Sequence, residues 1–167
     1  MITVLDLVAV DEGVELALWQ AAFGIDLAER IVARKRPLDT TLPLALIDPR
    51  AAVLSAVEDE TWLRLLDVPA ALAARSYASG DPVVIEVTDD LLPENSGSYR
   101  IGADGIERTE APAELRSSVA DLAAAYLGGT RFSALAAAGR VLGSAEAVAR
   151  ADVLFATPQL PWCGTYY

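Results

Sequence analysis

The chain has 167 residues, of which 53% are hydrophobic, and it carries 13 basic against 24 acidic side chains, a formal net charge of −11. This size fits one ordinary domain or two small ones, and the acidic balance disfavours binding to a nucleic-acid backbone and favours cationic partners. With no histidine, the chain cannot build a Ser-His-Asp or Cys-His site, so an acid or base must be a carboxylate, a tyrosine, a lysine or a chain terminus.

The sequence pattern carries no membrane or export signal. Its apolar runs are interrupted before the ~18 residues of a membrane span, and Met1 is followed by "ITVLDLVAV" without a basic segment or a cleavage site. The single cysteine, Cys163, excludes an internal disulfide and a paired-cysteine zinc site. We therefore expect a cytoplasmic protein that binds no metal, no membrane and no nucleic acid.

The first sixty residues are typical of the end of an α/β layer. The run "ITVLDLVAV" is apolar enough for a buried strand, and Asp11 can cap the helix that follows it. That helix has Val14, Leu18, Ala21 and Ala22 on one face. Beyond it, "LAERIVARKRP" indicates a strand, "LPLALIDPR" a short helix, and "AVLSAVEDETWLRLLDV" a pair of strands.

From about residue 64 onward, strands and alanine-rich helices are mixed. Asp67 before "VPAALAARSY" is a helix-start signal, "DPVVIEVTDD" alternates like a strand, and Asp104-Gly105 marks a hairpin. Three helices are predicted next. They are "AELRSSVADLAAAYLGG" with Leu115, Val119, Leu122 and Tyr126 on one face, "RFSALAAAG", and "AEAVARADVLFA" with Ser144 as its cap. The predicted class is α+β, a sheet covered by helices.

Seven blocks along the chain resemble one protein family. In order they are "LWQAAFGIDLAERIVARKRPLD", "LIDPR", "WLRLLDVPAALAARSY", "YLGG", "LAAAGRV", "AVARADVLF" and "PWCGTYY". They resemble the C-terminal portion of the enhanced intracellular survival family of bacterial GNAT-type N-acetyltransferases. Its members have an N-terminal GNAT domain, a central GNAT-like domain and a C-terminal domain of the sterol-carrier-protein (SCP2-like) fold. The resemblance implies the second half of the GNAT-like α/β domain at residues 1–61 and the SCP2-like domain at 62–167.

The resemblance also gives the C-terminus a chemical role. In the family, the C-terminal carboxylate is the general base that takes a proton from the substrate amine, so the carboxylate of Tyr167 is the expected catalytic group. The usual last residue there is phenylalanine. Burial raises the pKa of a carboxylate, which suits this role. Asp67 and Tyr166 are the expected substrate-binding residues for a cationic amine of aminoglycoside type, although Asp67 is equally well interpreted as a helix cap.

Acetyl-CoA is the cofactor that the resemblance implies. The family binds it in the N-terminal GNAT domain, on a loop whose backbone N–H groups hold the pyrophosphate. Arg140, Gly143 and Ala145 in "RVLGSA" match the letters of that loop, but they follow a helix-like stretch inside the SCP2-like part. We therefore expect no cofactor-binding residues in this chain and a missing N-terminal GNAT domain as its partner.

Other charged or aromatic residues have plainer interpretations. Trp162 and Cys163 are expected in a core. Asp89, Asp90 and Glu94 lack the ladder spacing of a calcium loop and are interpreted as a solvated turn. The basic run "RIVARKRP" is expected to be a solvated strand edge or a subunit contact.

Three interpretations of function remain open at this level. The first is the C-terminal part of an amine N-acetyltransferase, which supplies the base and part of the substrate pocket. The second is a stand-alone lipid- or sterol-binding module, whose helix alanines and leucines would line an apolar tunnel. The third is a structural piece of a homo-oligomer, because family members assemble as hexamers or smaller oligomers.

Overall fold

The computed structural model describes residues 1–59 and 61–164, which form two compact units. Unit 1 contains residues 1–61 and the C-terminal segment that begins at Trp162, and unit 2 contains Trp62–Pro161. Each unit is described separately below.

Unit 1 has short elements around one helix. Its elements are β1 (Ile2–Val4), α1 (Glu12–Phe23), β2 (Ile31–Ala33), α2 (Leu42–Ala45) and a 3-10 turn (Pro49–Ala51). The two strands pair in parallel, with Ile2 opposite Ile31. Asp11 caps α1, as the sequence predicts, because its carboxylate accepts a hydrogen bond from the backbone N–H of Val14 at 2.8 Å.

Three predictions for unit 1 are wrong in detail. The run "ITVLDLVAV" forms only the three-residue β1, and Leu7 is the one buried side chain in it. Helix α1 buries Trp19, whereas Val14 and Leu18 on the predicted face are 40% and 42% exposed. Because α1 is apolar on several sides, residue spacing alone cannot select the buried side. The predicted pair of strands does not occur among the described residues of 52–67.

Unit 2 is a mixed five-stranded sheet with helices packed on it. Its elements are α3 (Val68–Ala74), β3 (Val83–Thr88), β4 (Gly97–Gly102), β5 (Gly105–Thr109), β6 (Leu115–Ser118), α4 (Val119–Tyr126), α5 (Phe132–Ala137), β7 (Leu142–Gly143) and α6 (Ala145–Leu154). The strand order is β5-β4-β3-β6-β7, and β3 pairs antiparallel with β4 and parallel with β6. This architecture confirms the predicted α+β class.

The core of unit 2 is centred on β3. Its alternate residues Val83, Ile85 and Val87 are buried, as the period of two predicts. Leu122 of α4 and Leu154 of α6 are fully buried in the same cluster. The predicted hairpin is also present, since β4 and β5 are joined across Gly102 and Gly105.

The first of the three predicted helices begins later than its spacing suggests. Leu115 belongs to β6, where it lies opposite Ile85 of β3, and α4 starts only at Val119. Ser118 is the cap of α4, and its hydroxyl accepts a hydrogen bond from the backbone N–H of Asp121 at 3.1 Å. The apolar spacing that suggested one long helix therefore spans a strand and a helix.

Candidate functional site

The chain approaches its C-terminus through residues 157–161, which pack on the end of α4. A Cβ atom at Gly128 would meet Thr157 Oγ1, and one at Gly129 would lie 2.8 Å from Pro161 Cγ. Gly128 also has a φ of +81°, the left-handed conformation that commonly follows a helix. The glycines of the "YLGG" block therefore allow the segment before Trp162 to lie directly on the helix end.

Trp162 belongs to unit 1, where its ring lies over the guanidinium of Arg36. Arg36 Cζ is 5.5 Å from the ring centroid, within the range of a cation–π contact. Gly164 lies against the same ring, because a Cβ atom on it would meet the six-membered ring of Trp162. Trp162 is 47% exposed and Cys163 is half-buried, so the expectation that both lie in a core is wrong.

Arg36 is held by fixed partners in unit 1. Its Nη1 donates to the backbone oxygen of Leu7 at 2.6 Å, and its Nη2 donates to Glu15 Oε1 at 2.8 Å. Trp19 Nε1–H donates to the same Glu15 oxygen at 3.2 Å. The side chains of Arg36 and Glu15 are only 14% and 17% exposed. The prediction that "RIVARKRP" is a solvated strand edge is wrong for Arg36, which has a shielded carboxylate as its partner, whereas Arg34 is exposed. The alternative, a subunit contact, stays a prediction.

We call Glu15, Arg36, Trp162 and Gly164 the Arg36 cluster. Tyr166 and Tyr167 lie outside the described residues, so their predicted roles are not tested. Gly164, the last described residue, lies three positions before Tyr167 in the sequence. The Arg36 cluster is thus where unit 1 holds the described end of the chain.

Asp67, the other predicted substrate-binding residue, caps α3 in unit 2. Its carboxylate accepts a hydrogen bond from the backbone N–H of Ala70 at 2.8 Å, which confirms the helix-cap interpretation. The residue is exposed. Burial raises the pKa of the nearby Tyr99 hydroxyl, and the negative charge of Asp67 adds to this increase. A role in binding a cationic substrate remains a prediction.

A buried carboxylate, Asp89, lies close to the start of α3. Asp89 Oδ2 accepts from Asn95 Nδ2 at 2.9 Å, and its Oδ1 accepts from Arg64 Nη2 at 2.7 Å. The same Oδ1 accepts from the backbone N–H groups of Leu91 and Leu92 at 3.0 and 3.1 Å. These hydrogen bonds, that of Asn95 foremost, hold the pKa of Asp89 well below its usual range.

Asp89 corrects the interpretation of its segment as a solvated turn. Asp90 and Glu94 are exposed, as expected, but Asp89 is 4% exposed. Asn95 Oδ1 also accepts from the backbone N–H of Val68 at 2.9 Å, so the network holds the first turn of α3. Within residues 1–59 and 61–164, no three His, Cys, Asp or Glu side chains are grouped to bind a metal ion.

The residues of "RVLGSA" do not fit a pyrophosphate-binding loop. Arg140 Nη2 is 2.5 Å from Asp121 Oδ1, and the Ser144 hydroxyl accepts a backbone hydrogen bond in the first turn of α6. Gly143 lies in β7, where a Cβ atom would meet the backbone oxygen of Glu114. These residues join β6, β7 and α6 to their neighbours. We therefore assign no acetyl-CoA contact to them.

A hollow of about 410 Å³ lies on unit 2 between α5, β7 and α6. Its lining is mostly apolar and includes Ala136, Val148 and Ala149. It is open to solvent, unlike the tunnel expected of a lipid carrier. Among the described helices, none is long and apolar enough to cross a membrane.

Two family models match the sequence. The model "Acetyltransferase (GNAT) domain" matches residues 1–65, and "Sterol carrier protein domain" matches residues 68–164. A GNAT domain is therefore present in this chain, which corrects the expectation that such a domain is missing.

Relatives of the chain are N-acetyltransferases. An uncharacterized N-acetyltransferase of Streptomyces coelicolor is 42% identical over 94% of this chain and 39% of its own length. The N-acetyltransferase Eis of Mycobacterium tuberculosis is 39% identical over 91% of this chain and 38% of its own length. The crystal structure of Eis1 from Mycobacterium abscessus matches with a TM-score of 0.95 and 43% identity, over 99% of this chain and 43% of that one. This chain thus spans about two fifths of the length of the curated relatives it matches.

Proposed function

Because the chain belongs to the enhanced intracellular survival (Eis) family of GNAT-type N-acetyltransferases, we propose that it acts in the transfer of an acetyl group from acetyl-CoA to a primary amine. GNAT acetyltransferases use acetyl-CoA as the acetyl donor. The observation that carries the proposal is the Arg36 cluster. There, Trp162 and Gly164, which follow the sterol-carrier-like unit 2 in the chain, pack in the GNAT-matching unit 1.

The carboxylate of Tyr167 is proposed as the general base. A primary amine is protonated at neutral pH and becomes a nucleophile only after it loses a proton. A carboxylate within about 3 Å of the ammonium group can accept that proton. An α-carboxyl group ordinarily titrates near pH 3.5, and transfer of a carboxylate from water to an apolar environment raises its pKa. In a chain without histidine, a carboxylate is one of the few groups able to do this.

The proposed substrate is a cationic amine of aminoglycoside type. The net charge of −11 attracts polyamines, and a carboxylate such as Asp67 can pair with an ammonium group while it also caps α3. Tyr166 is proposed to line the same pocket. We further propose a cytoplasmic location, where acetyl-CoA is available.

The proposal includes a division into a GNAT-like domain at residues 1–61 and an SCP2-like domain at 62–167. The compact units and the bounds of the two family models support a boundary near residue 61, whereas Trp162 packs in unit 1. A homo-oligomer is also proposed. The exposed apolar side chains of unit 1, among them Val10, Leu27 and Ile47, support it because such surface is commonly covered in an assembly.

The test of acetyl transfer uses a chimera as well as the chain itself. In the chimera, this chain replaces the matching region of the Mycobacterium tuberculosis Eis protein, to which it is 39% identical. Each protein is incubated with acetyl-CoA and an aminoglycoside that bears several primary amines. We expect acetylated aminoglycoside and one free CoA thiol per acetyl group from the chimera. A correctly folded chimera that forms no acetylated product at any amine tested would contradict the proposal.

A second candidate function, a lipid- or sterol-binding module, is favoured by the match of residues 68–164 to the sterol carrier protein domain. The mostly apolar hollow between α5 and α6 is the surface that such a ligand would use. Against it, the core of unit 2 is filled by fully buried side chains such as Phe132 and Leu154. Native mass spectrometry of the purified chain decides, since a lipid carrier retains a bound lipid and an acetyltransferase part does not.

A further inference from the structure

Arg36 lies in a charged run of the kind usually found at a protein surface, but it has two features that are unusual for a surface arginine. Its guanidinium is shielded, and both terminal nitrogens are occupied by partners from other segments, the backbone of Leu7 and the carboxylate of Glu15. Its Nε is buried and has no hydrogen-bond partner. The plane of the guanidinium is therefore fixed by two contacts, to Leu7 and to Glu15, and neither residue belongs to its own segment or to the C-terminal segment.

The face of this fixed guanidinium is the surface on which Trp162 lies. Arg36 Cζ is 5.5 Å from the centroid of the Trp162 ring. An arginine that is already neutralised and oriented by Glu15 offers a flat, weakly hydrated face to an aromatic ring. Gly164 lies against the six-membered ring of Trp162, since a Cβ atom on it would collide with that ring.

The position of Trp162 limits where the chain can end. Tyr167 follows Trp162 by five residues, and a fully extended chain spans at most about 3.6 Å per residue. Five residues of chain can therefore reach at most roughly 18 Å from the Trp162 backbone. The ring contact with Arg36 fixes the side chain of Trp162, the residue from which this distance is measured.

We propose that Arg36, oriented by Glu15, is a positioning residue that anchors Trp162 and thereby places the C-terminal carboxylate for its reaction. This inference rests on the proposed function of Tyr167 as the general base. Arg36 itself does not exchange a proton or contact the reacting atoms in this proposal.

The first test measures anchoring without any acetyl transfer. The full chain is digested with a carboxypeptidase, and the release of free tyrosine from its Tyr-Tyr end is followed with time. We expect Arg36→Gln to release tyrosine at least tenfold faster than the parent. Arg34→Gln, an exposed basic residue of the same run, is the matched control and should match the parent. Equal rates for the two variants would overturn the proposal.

A second variant keeps the test valid if Arg36→Gln fails to fold. Trp162→Leu removes the ring, while the hydrogen bonds of Arg36 to Leu7 and Glu15 are left in place. It should accelerate tyrosine release to a similar extent, and Arg36→Lys, which keeps the positive charge under the ring, should restore a slow rate in part. Release at the parent rate from a folded Trp162→Leu variant would also overturn the proposal.

Acetyl transfer by the chimera separates this inference from the proposed function. We expect Arg36→Gln to lower kcat at least tenfold with an unchanged KM for acetyl-CoA. Faster tyrosine release without any loss of kcat would show that the end is anchored but is not the base, so placement for the reaction would be wrong. If deletion of Tyr167 abolishes transfer but Arg36→Gln changes neither tyrosine release nor kcat, the proposed role of Tyr167 as the general base is supported. The proposed anchoring by Arg36 is then wrong.

Discussion

Asp89 is a single residue on which several parts of unit 2 depend. Its carboxylate receives hydrogen bonds from Arg64, Asn95 and two backbone N–H groups, and its side chain is almost fully shielded from solvent. Asn95 in turn contacts the first turn of α3 and accepts, through its backbone oxygen, from the Tyr99 hydroxyl at 2.7 Å. Loss of the Asp89 charge therefore affects both β4 and α3.

We expect Asp89→Asn to destabilise the chain by about 2–3 kcal/mol, because an amide cannot accept all of these donors and hydrogen bonds to a charged group are the stronger kind. Arg64 is partly exposed, so its share of this effect is reduced by solvent. Urea unfolding followed by circular dichroism measures the free energy. Asp90→Asn, at the exposed neighbour, is the control and should change stability by less than about 0.5 kcal/mol. Equal effects of the two changes would contradict this account.

The lowered pKa of Asp89 also predicts how stability depends on pH. The unfolded carboxyl group titrates near pH 3.9, and the folded one titrates at lower pH. Below about pH 4, the unfolded chain therefore binds a proton that the folded chain does not, so the free energy of unfolding falls as the pH falls. Urea midpoints of the parent measured from pH 7 to pH 3 should decline more steeply than those of Asp89→Asn. Parallel curves would show that another group causes the decline.

Residue-scale chemistry was the hardest part to predict from the sequence. Asp89 and Arg36 belong to charged runs that resemble solvated surface, and their partners Arg64 and Glu15 lie 25 and 21 positions away. No local pattern shows such pairs. Caps were predicted better, because Asp11 and Ser144 bond to backbone groups three residues away, and that spacing is visible in the chain.

Two helices of unit 2, α4 and α5, are followed by comparable glycine turns. Gly128 follows α4 with a φ of +81°, and Gly139 follows α5 with a φ of +73°. Thr157 lies where a Cβ atom of Gly128 would be, whereas no atom lies within 4 Å of a Cβ atom at Gly139. The two positions share a left-handed backbone conformation, which strains any residue with a Cβ atom, and they differ in packing against Thr157.

This difference gives a direct test of the 157–161 contact. We expect Gly139→Ala to cost about 1 kcal/mol, the penalty of a left-handed alanine. Gly128→Ala should cost about 1–3 kcal/mol more, because its methyl group collides with Thr157. The unfolding free energies of both variants are compared with that of the parent in urea. Similar losses for the two would mean that the segment does not pack on the end of α4.

At the level of helices and strands, the elements that local residue patterns determine can be predicted from the sequence. Strand β3 and the β4–β5 hairpin follow from residue alternation and from Asp104-Gly105. The sequence pattern does not show the boundary between β6 and α4, because Leu115 joins the sheet by pairing with Ile85 of β3 and Gly143 of β7, both distant from it in sequence. The signal was available in Ser118 and Asp121, a serine cap followed three residues later by an acidic residue.

For the whole molecule, the resemblance to a family indicates more about function than the composition does. The charge and the absence of histidine exclude classes of chemistry but do not identify a function, whereas seven ordered blocks indicate a family. The location of Trp162 in unit 1 could not be read from the sequence, because it depends on tertiary packing around Arg36. The aromatic residues near the C-terminus suggest burial. In the described part of that end, however, the Trp162 ring is about half exposed and lies on Arg36.

The carboxylate of Tyr167 is proposed to remove the proton from the substrate amine. Deletion of Tyr167 moves the carboxylate back by one residue, up to about 3.8 Å, beyond the reach of a direct proton transfer. In the chimera, we predict that this deletion lowers kcat about 100-fold or more while the Kd for acetyl-CoA changes less than about twofold, the scale of a lost general base. Tyr167→Phe, which keeps the carboxylate and removes only the hydroxyl, should retain activity. Unchanged turnover after the deletion would contradict the account.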